Sequence, residues 1–104
     1  MDKQAAVEAV RRFRRVLEGN HISVERMVLF GSHVEGTARE ASDIDVPVVS
    51  EHFRTCGFWE RIRILADAIY DTGLPIEAVA LSPEEWERAD RPIVVFARRG
   101  EEVN

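Results

Sequence analysis

The sequence of 104 residues holds one cysteine, Cys56, so no disulfide can form within the chain. A reducing, cytoplasmic setting fits that count. There is no basic excess either. Fourteen Lys and Arg stand against 19 Asp and Glu, a net charge of −5. A stable nucleic-acid surface ordinarily shows as a surplus of positive charge, so none is expected. The N-terminal stretch "MDKQAAVEAVRRFRRVLEG" has no uninterrupted apolar run, and it reads as neither a signal peptide nor a membrane span. Repeats, low-complexity segments and linkers are also missing. What is present is 45% hydrophobic and 32% charged, ordinary for a globular domain and too apolar for disorder. A chain of this length has enough surface to bury for one core, so a single domain, 1–104, is expected.

Hydrophobic periodicity divides the chain into short elements. Ala6, Val10, Phe13 and Leu17, with Val7, form the apolar stripe of a first helix ended by Gly19-Asn20. "RMVLF", Arg26 to Phe30, is a short apolar run closed by Gly31, as a buried strand would be. Residues 32 to 42 are small and polar, with room for one helical turn after Ser32. "DIDVPVVS", Asp43 to Ser50, reads as a second strand. Phe58, Ile62, Leu65 and Ile69, widened by Trp59 and Ala66, predict a long helix ended by Gly73. "PIEAVAL", Pro75 to Leu81, reads as a third strand. Ser82-Pro83-Glu84-Glu85 is a capping-box start with proline at the first helical position. Arg91 to Arg98 carries strand-favouring side chains between helix punctuation at Asp90 and Gly100, and helix is the expectation. The alternation of helices and strands predicts an α/β fold, a small mixed sheet of three or four strands flanked by helices.

Within the second strand, Asp43 and Asp45 interrupt an apolar run. Alternate strand residues share a face, so these two carboxylates aim the same way, about 7 Å apart. Like charges so placed repel, and a cation between them removes the repulsion. Hard oxygen ligands suit Mg²⁺ or Mn²⁺, which keep waters and share substrate phosphates. The plainer alternative is a solvent-facing strand end. Just upstream, Gly31-Ser32 follows a strand directly. Glycine lets a backbone approach a ligand closely, and a serine at a helical start offers a hydroxyl beside anion-attracting N–H groups. Strand-to-turn punctuation explains the glycine but not the whole set. Gly31 and Gly36 have P-loop spacing, but Thr37-Ala38 stands where Lys and Ser or Thr are needed. An EF-hand loop fails at Pro47-Val48. Glu77 is a third carboxylate in an apolar run. It completes a three-carboxylate site if its strand pairs beside the second, and is otherwise an exposed edge-strand glutamate.

Gly31-Ser32, ten residues, Asp43-Ile44-Asp45, and then a carboxylate in the third strand resemble the polymerase-beta-type nucleotidyltransferase superfamily. The chain is most similar to the minimal, MntA-like members, also in "GTAREASDID" and "VVSEHF". The resemblance implies a small mixed sheet flanked by helices. It implies transfer of a nucleoside monophosphate, AMP from ATP, to a hydroxyl with release of pyrophosphate. Asp43 and Asp45 would hold two Mg²⁺ ions, Glu77 the catalytic one, and Gly31 and Ser32 would grip the β- and γ-phosphates. It also implies an antitoxin paired with a HEPN-family toxin, modified on a tyrosine hydroxyl. The chain departs from the pattern at His33, where arginine is common, at Glu77, where aspartate is usual, and at Pro47. A proline cannot donate to the strand ladder, so an edge-facing nitrogen is expected for Pro47.

Other residues have plain readings. Arg39 is expected to be solvated or to reach a phosphate or partner. "RRFRR", Arg11 to Arg15, is a solvated helix face around a buried Phe13, or a docking patch for an acidic partner or RNA. Trp59 and Trp86 are expected in the core. His21 and His52 lack metal-ligand companions, and Cys56 has no neighbouring base. Three functions compete: the active transferase, a catalytically weak binding module that neutralises a partner by contact, and a small-molecule adenylyltransferase, for which no acceptor domain is expected in 104 residues. A homodimer is compatible with an open acceptor side.

Overall fold

The computed structural model describes residues 2–30 and 43–104. The one helical turn expected after Ser32 lies outside these residues. The first helix, α1, spans Lys3–Gly19 and starts where the Asp2 carboxylate accepts from the Ala5 N–H at 2.8 Å. Ala6, Val10, Phe13 and Leu17 are buried on it, joined by Ala9, so the predicted stripe forms the inner face.

Among the described residues, four strands make one sheet: β1 (Arg26–Leu29), β2 (Ile44–Val49), β3 (Ile76–Leu81) and β4 (Glu101–Glu102), ordered β3-β2-β1-β4. β1 runs antiparallel to β2 and to β4, while β2 and β3 are parallel. The sheet is therefore mixed, as predicted. After β2 comes a 3-10 turn, Glu51–Thr55, and then α2, Phe58–Thr72, which stops at Gly73 in the left-handed region (φ 66°). β3 leads into α3 (Pro83–Arg88), whose capping box joins Ser82 and Glu85 in both directions. The ambiguous segment is the helix α4, Pro92–Ala97.

Alternation along the strands sorts the side chains into two layers. Ile44, Val46 and Val48 of β2 join Met27, Leu29, Ile76 and Ala80 under α1 and α2 in the larger core. On the opposite face Val28, Val49 and Leu81 pack against Trp86, Val94 and Ala97 of α3 and α4. Trp86 is thus a core residue, flanked by the guanidinium groups of Arg26 and Arg98 at 5.1 and 5.5 Å.

Three expectations are overturned. Ala66, expected to widen the apolar stripe of α2, is exposed, and Ala68 is buried instead. Trp59 is 77% exposed and Phe58 68%, because α2 turns its core face through Leu65, Ala68 and Thr72, and its first turn overhangs the edge of β3. Pro47 lies in an interior strand. Ile44 and Ser50 donate to Pro75 and Leu81 on the β3 side, so the odd positions of β2 turn their nitrogens toward β1. The register that pairs Met27 with Val48 and Phe30 with Asp45 sets Pro47 opposite Val28, and its missing N–H interrupts the β1–β2 ladder there.

Candidate active site

Asp45 and Glu77 are direct partners in the parallel β2–β3 pairing. Residues paired across neighbouring strands lie about 4.8 Å apart and share a face. Phe30 is bridged to Asp45 from the other side, its N–H donating to the Asp45 carbonyl at 3.4 Å. One row thus crosses three strands: Phe30, Asp45, Glu77. Among the described residues, Phe30, Val28 and Val79 pack with the apolar side chains of α3 and α4 on this face. Asp45 is half-buried, and Glu77 and Asp43 are exposed. Asp43 directly precedes β2 in the chain.

The strand of Glu77 lies beside β2, and among the described residues it is also a sheet edge, on which Glu77 is exposed. Gly31 and Ser32 lie outside the described residues. Phe30, which precedes Gly31 in the sequence, is bridged to Asp45. His33 and Arg39 also fall outside.

The donor set is oxygen only and suits a hard divalent cation. Among the described residues, no three His, Cys, Asp or Glu side chains converge closely enough to hold an ion by themselves. That is compatible with Mg²⁺, which is ordinarily held by one or two carboxylates together with waters and substrate phosphates. The row offers two carboxylates in register, and Asp43 lies just ahead of Asp45 in the chain.

Beyond the row, a groove of about 550 Å³ runs along the outer edge of β3. Phe58, Ile62, Ala78 and Ala80 line it, with Arg61, Glu85 and Arg91. Arg61 donates to Glu85 at 2.6 Å and reaches the Ala80 carbonyl at 3.4 Å. Burial pushes the Glu85 carboxyl up, but the Ser82 N–H and hydroxyl and the Arg61 guanidinium outweigh it and hold it below the usual carboxylate range. Cys56, at the groove's end, has its thiol pushed up chiefly by burial, in keeping with an inert cysteine. Sequence reading missed this groove, because it depends on which strand forms the sheet edge.

A model of the nucleotidyltransferase domain matches residues 10–99. The chain belongs to the nucleotidyltransferase domain family. A nucleoside triphosphate is the substrate such a domain implies, and divalent metal is its typical companion. The fold is similar to a crystal structure from Sulfolobus solfataricus of a protein inferred to be a nucleotidyltransferase, with a TM-score of 0.68 over 83% of this chain and 75% of that one, at 17% identity. Comparison with curated proteins gives no match. Among the described residues, no helix of this nucleotidyltransferase domain is long and apolar enough to cross a membrane.

Proposed function

We propose that this domain transfers AMP from ATP to a hydroxyl of a partner protein, with two Mg²⁺ ions (Mn²⁺ serving in their place), and acts in the cytoplasm as the antitoxin of a HEPN-family toxin. The observation that carries the reading is the row Phe30–Asp45–Glu77, which aligns two carboxylates from separate strands with the residue that precedes Gly31-Ser32 in sequence. Asp43, Asp45 and Glu77 are the metal-holding set, with Glu77 nearest the acceptor because it alone stands on the edge strand. Gly31 and Ser32 take the β- and γ-phosphates. When bound, divalent cations neutralise the charge that develops as the acceptor oxygen bonds to the α-phosphorus and the bond to pyrophosphate breaks. The protein's share is positioning. The two strands hold Asp45 and Glu77 at fixed spacing, Asp43 directly precedes β2, and the hydroxyl proton leaves through this carboxylate side of the sheet.

A second reading, a module that neutralises its partner by contact, draws on the exposed Phe58–Trp59 pair, whose rings meet edge to face at 5.0 Å. Incubation with ATP, Mg²⁺ and the protein encoded beside this one separates the two. A gain of AMP mass on the partner, absent with an Asp43→Asn/Asp45→Asn variant, supports transfer. A stable complex with no mass gain leaves contact alone.

A further inference from the structure

Among the described residues β3 is a sheet edge, and its outward backbone groups are only partly used. Because Ile44 donates to the Pro75 carbonyl and Ser50 to that of Leu81, the odd residues of β3 face β2 and the even ones face away. Two outward groups are taken within the chain. The Ile76 N–H donates to the Leu74 carbonyl at 2.9 Å, and Arg61 reaches the Ala80 carbonyl at 3.4 Å. The Ile76 C=O, the N–H and C=O of Ala78 and the Ala80 N–H have no partner on that side among the described residues.

This pattern matches its own copy. Opposed residues of an antiparallel pair exchange two hydrogen bonds, and the next such pair lies two residues along. Let β3 meet the β3 of a second copy with Ala78 opposite Ala78. The two alanines then use all their free groups on each other. Each Ala80 N–H donates to the Ile76 carbonyl opposite, free group to free group. The Ile76 N–H and the Ala80 carbonyl, both already taken, fall opposite each other, so nothing is left over. Sliding the copy by two residues either way sets a free Ala78 group against a taken one. An ordinary extended segment brings its own free N–H and C=O to the two taken positions, and leaving them unmade is costly.

The surroundings are self-complementary in the same way. Ala78 is small, so two strands can meet at the dyad without crowding. Phe58 and Ile62 wall the groove beside β3 and are 68% and 43% exposed. Arg61, in the same first turns of α2, marks the Ala80 end of the strand. In this register Ala80 stands opposite Ile76 of the copy, whose side chain lies on the α2 face of the sheet. Phe58 and Ile62 of each copy would thus extend over the other's strand and leave solvent. Charges of both signs border the edge, Arg61 and Arg91 against Glu60, Glu77 and Glu85. An acidic or a basic partner would meet its own sign there. The copy is mixed in the same pattern, and its Glu77 falls opposite Val79, which lines the groove with Arg91.

We infer that the chain forms a two-fold dimer through β3, with Ala78 at the dyad, joining two four-stranded sheets into one. The inference is independent of the transfer reading. Pairing uses the backbone edge of β3, while Asp45 and Glu77 project from a face of the sheet.

The test uses the whole chain. Sedimentation velocity from micromolar to millimolar protein reads mass. Amide exchange reads Ala78 and Ala80, and a Cys56→Ser/Ala78→Cys variant reads register under mild oxidation. The chain is expected to sediment at twice its monomer mass and to protect both amides as concentration rises. The two introduced thiols are expected to link, since opposed residues in such a pair lie about 5.5 Å apart, within disulfide reach. Ala78→Pro removes the central N–H, which the β2–β3 ladder does not use. Ile62→Glu sets a charge on the apolar wall and leaves the strand untouched should the proline disturb it. Each is expected to weaken dimerisation at least tenfold in a chain that circular dichroism shows to be folded. A monomer across the whole range, full affinity in either folded variant, or a dimer whose introduced thiols do not link overturns the inference.

Discussion

At the residue scale, Asp45 and Glu77 owe their proximity to pairing between two strands, not to nearness in sequence. Replacing either with its amide keeps shape while removing a charge and turning one acceptor oxygen into a donor. Asp45→Asn and Glu77→Gln are expected to lower AMP transfer by about a hundredfold or more, since charge placed at the reacting centre is worth that much, and Glu77→Gln to leave the melting temperature at or above that of the unaltered chain. A melting temperature that falls together with activity would mark Glu77 as structural. Cys56 gives a second expectation. Its thiol is pushed up by burial and shares a hydrogen bond with the His52 carbonyl at 3.3 Å, so alkylation at neutral pH should be slower than for a free thiol, rising on unfolding. Equal rates folded and unfolded would contradict that. That Asp45 sits in a strand was legible in the sequence, because "DIDVPVVS" reads as one, although β2 itself begins at Ile44. The Asp45–Glu77 register was not, because parallel partners are chosen by packing over some thirty intervening residues.

Elements show where periodicity informs and where it misleads. The stripe expected for α2 is only partly the buried face: Leu65 is buried and Ile69 partly so, Ala66 gives way to Ala68, and Phe58 and Ile62 line the β3 groove. Periodicity cannot say how far the sheet extends, and the first turn of α2 overhangs its edge, which strands Trp59 in solvent. β4 was illegible for another reason. Two exposed glutamates carry no apolar alternation, and the strand forms because the chain returns past Gly100 against Leu29. A Cβ on Gly100 would lie 2.5 Å from the Leu29 carbonyl oxygen and 2.9 Å from the Phe30 Cβ. Gly100→Ala is therefore expected to destabilise by about 2 kcal/mol, read by denaturant melts. An unchanged midpoint would show that β4 is free to shift. The α3 cap, fully legible, gives a pH dependence. The folded Glu85 carboxyl lies below its unfolded value, so its stabilising contribution is present above that unfolded value and is lost as pH falls through the folded one. Glu85→Gln should cost about 1 kcal/mol at neutral pH, with the gap closing in acid below about pH 4. A gap independent of pH would assign the loss to packing.

At the scale of the molecule, the mixed sheet lies between two helical layers. Among the described residues, α3 and α4 close over Val49, Leu81 and Val28, and their apolar cover leaves a gap at Asp45 and Glu77, beside the β3 edge. The α/β class and mixed sheet could be read from alternating helix and strand patterns. The gap could not, since it depends on where two six-residue helices happen to end. The measurement that tests nucleotidyl transfer most directly compares ATP labelled on the α-phosphate with ATP labelled on the γ-phosphate, each with Mg²⁺ and the partner protein. Transfer of AMP predicts α-label on the partner, γ-label released as pyrophosphate, and neither with Asp43→Asn/Asp45→Asn. γ-Label on the partner, or α-label that survives the double substitution, would contradict the account.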